Sequence, residues 1–280
     1  MKRLDKFIFA VLIGVITVTA GLSGFAPVNA APKSKQNFTM PREAFGYLIT
    51  NAAKLSPAQV EQGLWELQRL WDKTQKKYQS QLESKKIQRK LGKYRFRDLV
   101  QFRNISDTEV LQLLTNIRAD GFRLINGQGK VNLKIDYSVI NPKVTRYAPK
   151  PVRTYFKIIA RSNPQTICVN GTLKVTPNAL AARIVQAERF LKENPEFVKK
   201  AEVEGVYKQC LSFYLLGSAK TPAFKGNKLN ENFLKSYREA ATKYQTDSFG
   251  KLVADYLNLL KQSNYRKTKQ ITEFVKSKSS

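Results

Sequence analysis

From Val60 to Tyr78 the side chains Val60, Leu64, Leu67, Trp71, Thr74 and Tyr78 return at alternating spacings of four and three. Only a helix of about 3.6 residues per turn lays such positions on one stripe. Just before it stands Ser56-Pro57-Ala58-Gln59, a capping box with proline at the first helical position. One long helix is therefore expected from Pro57 to at least Leu82. A stripe this continuous has to be covered, either by the chain's own core or by a partner helix in a coiled-coil seam.

The flanking sequence supplies that core. Thr39 and Pro41 predict a helix over residues 41–54. Ser106-Asp107-Thr108-Glu109 is a second capping box, opening a helix with Val110, Leu111, Leu113, Leu114 and Ile117 that Gly121 closes. The period then drops to two. Phe122 and Leu124 precede the turn at 126–129, and Val131, Leu133, Ile135, Tyr137 and Val139 follow it, predicting a β-hairpin. Residues 141–152 hold Pro142, Pro149 and Pro151 and read as a connection, a hinge between two lobes. A third strand is expected over 154–160. A fourth and fifth are joined by Asn170-Gly171, which places Cys168 opposite Leu173. From Asn178 the pattern is helical, with segments around Leu180–Leu191 and Val203–Tyr214, then 230–244, 248–260 and a last one bearing Ile271, Phe274 and Val275. The expected fold is α+β: N-terminal helices, a central antiparallel sheet of four to five strands and a C-terminal helical half, with residues 31–280 as a single domain.

Compartment follows from the N-terminus. Lys2, Arg3 and Lys6 precede an uncharged apolar run from Phe7, and Val28-Asn29-Ala30 fits a signal peptidase site. Residues 1–30 are expected to be a signal peptide cleaved after Ala30, giving a secreted or periplasmic protein; the rival is retention as an anchor helix. No later segment is apolar enough to span a membrane. In an oxidising compartment Cys168 and Cys210, both on core-facing positions, are expected to form a strand-to-helix disulfide, the alternative being two buried free thiols.

The chain has no histidine. That removes the commonest general base and zinc ligand, and every Ser-His or Cys-His nucleophile pair. No phosphate-binding glycine loop or calcium loop is present, and no cofactor or metal is expected. An enzyme here would have to use carboxylates, for which Glu43, Glu66, Asp136, Glu202 and Glu204 are candidates, each also readable as an ordinary solvated charge.

Charge is more informative. The chain holds 49 Lys plus Arg and 21 Asp plus Glu; removing residues 1–30 takes 3 and 1 of these and leaves a net +26. Such an excess attracts anionic partners over long range and weakens with salt. Lys73 to Arg103 carries eleven cations against Glu83 and Asp98. Lys85, Lys86, Arg89, Lys90, Lys93, Arg95 and Arg97 are its candidate contacts, with Tyr94 and Phe96 as rings that could stack or simply face the core. Between Tyr137 and Ala187 there is no acid at all, while Lys143, Arg146, Lys150, Arg153, Lys157 and Arg161 lie along it. The expected function is non-enzymatic binding of an anionic polymer or acidic surface, an envelope polymer, acidic protein, lipid headgroups or extracellular nucleic acid. The basic tail after Lys261 adds a possible peripheral membrane contact. The competing readings are a carboxylate-dependent hydrolase of envelope polysaccharide and an assembly component pairing through the Val60–Tyr78 stripe. Oligomeric state is not legible.

Overall fold

The computed structural model describes residues 37–127, 130–140, 142–162 and 167–279. The signal peptide expected over residues 1–30 therefore lies outside the described residues. The first helices are α1 (Pro41–Asn51), α2 (Pro57–Glu83), α3 (Lys85–Leu91), α4 (Phe96–Gln101) and α5 (Thr108–Ala119). Helix α2 starts where the capping box puts it: Ser56 Oγ accepts from the Gln59 N–H and Gln59 Oε1 from the Ser56 N–H. Two caps shift by one residue. Glu43 Oε2 accepts from the N–H groups of both Thr39 and Met40, so α1 is capped at Met40, and Asp107 rather than Ser106 caps α5.

Strands β1 (Phe122–Gly127) and β2 (Lys130–Ile135) form the expected antiparallel hairpin. Its outer edge is closed by glutamine side chains of α2: Gln79 Oε1 accepts from the Leu133 N–H at 3.3 Å and Gln75 Nε2 donates to the Leu133 carbonyl at 3.4 Å. A covered edge does not template another strand. The second strand, expected to carry Tyr137 and Val139, stops at Ile135, and the chain then makes 3-10 turns at Tyr137–Val139 and Thr145–Tyr147.

Here the expected sheet fails. The segment taken as a third strand is helix α6 (Lys150–Arg161). Its run Tyr155-Phe156-Lys157-Ile158-Ile159 is too short to separate a period of two from 3.6, and Pro149 and Pro151 at the start decide for helix, where a fixed φ costs nothing. The remaining pairs are two residues per strand: β3 (Cys168–Val169) with β4 (Thr172–Leu173), β5 (Gly217–Ser218) with β6 (Thr221–Pro222), and β7 (Phe224–Lys225) with β8 (Lys228–Leu229). The α+β assignment is thus corrected to a helical fold decorated by separate hairpins. Asn170-Gly171 does form its turn, with both residues at positive φ and Cys168 opposite Leu173.

Helices α7 (Pro177–Glu193), α8 (Lys200–Leu216), α9 (Glu231–Lys243), α10 (Ser248–Gln262) and α11 (Lys269–Ser279) complete the chain, and residues from Phe38 onward form one compact unit. Two apolar clusters fill it. The first gathers around the α2 stripe, which is buried throughout, so the seam offers no apolar surface to a partner helix. The second gathers Tyr214, Phe233, Tyr237, Phe249, Val253 and Tyr256. The α7–α8 pair joins them: Ala187, Phe190 and Val203 belong to the first, Leu180, Ile184, Leu211 and Tyr214 to the second.

The disulfide is also corrected, because both cysteines are free. Facing the core is necessary for a bond but not sufficient, since the two Cβ atoms must come within about 4.5 Å. The hairpin carrying Cys168 is docked on residues 217–222, where the Gly171 carbonyl accepts from the Lys220 N–H and Ser218 Oγ, both at 2.7 Å. Cys210 instead sits buried on α8, within reach of Arg183 and Ser162. Burial pushes its thiol up to about 11. Alkylation under non-reducing, unfolding conditions is expected to label both thiols, and Cys210 is expected to resist labelling in the native protein near neutral pH. An unfolded, unreduced chain that takes up no label would establish a bond instead.

Candidate functional site

The two basic stretches fare differently in three dimensions. In α3, Ile87 and Leu91 are buried and the lysines turn outward. Lys86 Nζ meets Glu109 Oε1 at 2.8 Å, and Lys90 Nζ meets Asp107 Oδ2 at 2.8 Å and Glu109 Oε2 at 2.6 Å. These two cations neutralise acids at the start of α5, where the helix dipole also favours negative charge. Lys85, Arg89, Lys93, Arg95 and Arg97 are exposed and carry no ion pair among the described residues. The rings do not form a platform beside them. Tyr94 packs on the first core, its hydroxyl accepting from the Asp107 N–H at 3.1 Å and bonding Ser106 Oγ at 3.2 Å; Phe96 is half-buried in the first turn of α4.

The acid-free stretch is better organised. Val152, Tyr155, Phe156 and Ile158 are the buried side of α6. Lys150, Arg153, Lys157 and Arg161 follow one another at steps of three, four and four and are all exposed. At 1.5 Å rise per residue, the row extends about 16 Å along the helix. Arg146 extends it: its guanidinium lies 4.7 Å from the Tyr147 ring centre, and its carbonyl accepts from Arg153 Nη1 at 3.4 Å. Lys143 is exposed in the turn before. Lys150, Arg153 and Lys157 have no ion-pair partner among the described residues. At the far end Arg183, half-buried on α7, keeps Nη1 buried without a hydrogen-bond partner. Burial first, and then Arg161, hold its guanidinium below the ordinary arginine range, an environment that a bound anion would relieve.

A cleft of about 450 Å³ opens where α2, β2, α6 and α8 meet. Gln68, Asp72 and Gln75 come from α2, Lys134 and Ile135 from β2, Tyr137 from the turn that follows, Ile159 and Ser162 from the end of α6, and Glu202, Gly205, Val206 and Gln209 from α8. Gln68 Nε2 donates to Tyr137 Oη at 3.0 Å and to Asp72 Oδ1 at 3.3 Å, while its buried Oε1 has no partner. Glu202 accepts from Tyr155 Oη at 2.5 Å and Lys199 Nζ at 2.8 Å. Lys134 stands directly across the hairpin from Arg123; burial and then that neighbour hold its ammonium below the usual lysine range. Burial raises the Tyr137 hydroxyl well above its ordinary value, so it stays a neutral donor.

Of the five candidate carboxylates, Glu202 alone lines this cleft. Glu43 caps α1, Glu66 forks onto Arg69, Asp136 accepts from Ser138, and Glu204 is held near Lys200 on the same helix. Asp72, Gln68 and Lys134 escaped the sequence reading. Asp72 and Gln68 sit one helical turn apart on α2, a spacing legible in the sequence, whereas the turn expected at 126–129 would have set Arg123 opposite Asn132 and not opposite Lys134. That spacing does not say that α8 closes over them. Among the described residues no group of His, Cys, Asp and Glu could hold a metal ion, and no helix is long and apolar enough to cross a membrane. In comparisons with known proteins, no family model matches the chain, and neither a curated protein nor a solved structure matches it significantly.

Proposed function

We propose that this protein is a non-catalytic binder of an anionic polymer or acidic surface, acting outside the cytoplasm and docking along α6. The observation that carries the reading is the exposed row Lys150, Arg153, Lys157 and Arg161 on a helix that contains no acid. Spaced cations on a rigid helix meet spaced anions without first ordering a loop, and each pair formed releases counterions. Arg146 and Lys143 prolong the row, and Arg183 adds a partly desolvated guanidinium near Arg161. The net +26 of residues 31–280 supplies the long-range attraction that brings such a partner in.

The test is a titration with heparin, and in parallel with single-stranded DNA, at low and at moderate salt. Affinity is expected to fall steeply with salt. Changing Lys150, Arg153 and Lys157 together to Gln is expected to flatten the dependence of log affinity on log salt by roughly two to three. The matched change at Lys85, Arg89 and Lys93 is expected to flatten it less. Salt-insensitive binding, or a triple α6 variant indistinguishable from the parent, rejects the reading.

A further inference from the structure

The cleft asks for a different ligand from the α6 row. Helical geometry separates them: at 100° per residue, Ile159 and Ser162, which line the cleft, lie on the side of α6 away from Lys150, Arg153 and Lys157. An occupant of the cleft therefore stays clear of Lys150, Arg153 and Lys157.

Three observations fix its chemistry. First, the walls carry residues of both kinds, acceptors and donors: Asp72 and Glu202 line the cleft together with Lys134, Gln75 and Gln209. An anion placed there meets two carboxylates, and a cation meets Lys134 inside a strongly cationic protein. A hydroxyl both donates and accepts, and suits every one of these groups. Second, Gln68 Nε2 holds two lining residues in place, donating to Asp72 Oδ1 at 3.3 Å and to Tyr137 Oη at 3.0 Å, so an acceptor and a hydroxyl are oriented before a ligand enters. Third, Ile135, Ile159 and Val206 give the same cleft an aliphatic wall, against which the C–H face of a sugar ring can lie. The volume falls within the roughly 300–1,000 Å³ of ordinary small-molecule sites.

We infer that the cleft between α2, β2, α6 and α8 is a binding site for an uncharged sugar residue, separate from the anion-binding row. Asp72 and Glu202 accept hydroxyl donors, Lys134 donates to a ring or hydroxyl oxygen, and the aliphatic wall covers the ring face.

Calorimetric titration of the full chain with cellotriose, maltotriose and triacetylchitotriose tests this. At least one is expected to bind saturably, with an affinity that does not change between low and moderate salt. Asp72→Ala is expected to weaken that binding about tenfold, the loss of one hydrogen bond to a charged group. Gly205→Phe provides a second variant: a Cβ added at the exposed Gly205, which lines the cleft, meets no neighbouring atom within 4 Å, so the new side chain starts in open space and not in the core. It is expected to abolish sugar binding and leave heparin binding intact. The inference is overturned if none of the three sugars binds, if Gly205→Phe binds them as the parent does, or if spermine or inorganic phosphate displaces them. Because salt response and variants differ, failure of the sugar site and failure of the α6 row are read separately.

Discussion

Asp120→Asn is expected to lower the free energy of unfolding by about 3 kcal/mol, at the lower end of the range for removing one partner of a buried ion pair. The carboxylate has no solvent exposure. Arg42 grips it through Nε at 2.8 Å, Nη2 at 2.9 Å and its backbone N–H at 3.2 Å, and Tyr78 Oη donates to it at 2.6 Å. The Asp120 carbonyl accepts from Trp71 Nε1 at 2.7 Å. One residue thus ties α1, the α2 stripe and the end of α5 together. An amide in its place offers donors where donors already point, and leaves the Arg42 guanidinium without its counter-charge; because Arg42 is about a third exposed, water recovers part of the loss. Tyr78→Phe removes a single bond and is expected to cost about 1.5 kcal/mol. Urea unfolding with an unchanged slope measures both, and an Asp120→Asn midpoint equal to the parent's would refute the role given to this network.

Gly250→Ala is expected to destabilise by about 3 kcal/mol, the upper part of the range for overpacking, and to prevent folding altogether if the α9–α10 corner cannot open. An added Cβ would lie 1.9 Å from the Tyr244 carbonyl oxygen and 2.4 Å from its carbon, atoms of a backbone held by the cap of α9. Gly46→Ala is the opposite case. Gly46 is inside α1, and a Cβ there meets nothing within 4 Å, so the change is expected to stabilise by roughly 0.5–1 kcal/mol through helix propensity. Thermal midpoints moving in opposite directions support this account. Two glycines that respond alike would show that the Tyr244 contact is not what requires Gly250.

Both contrasts bear on what was readable beforehand. Gly46 and Gly250 each stand in a helical stretch, and nothing local marks one as replaceable and the other as required; the Tyr244 carbonyl is what separates them. The functional residues divide in the same way. The acid-free stretch from Tyr137 to Ala187 was visible as composition, yet with a strand over 154–160 only Lys157 fell inside the element, and Lys150, Arg153 and Arg161 lay outside it. As helix α6, they line up. In the first stretch, Lys86 and Lys90 looked equivalent to Lys85 and Arg89 until the fold brought Asp107 and Glu109 beside them.

The sequence by itself determined helices α1, α2, α5 and α7 to α11, the β1–β2 hairpin, the Asn170-Gly171 turn and that the α2 stripe had to be covered. Caps, turn residues and apolar periodicity act within about four residues of chain, so they are written locally. Only the tertiary structure decided that residues 150–161 are helical, that Cys168 and Cys210 stay apart, and that Asp72 of α2 and Glu202 of α8 share one cleft. Each of those outcomes depends on which surfaces meet across the fold, and a contact between residues distant in sequence leaves no periodic trace in either segment.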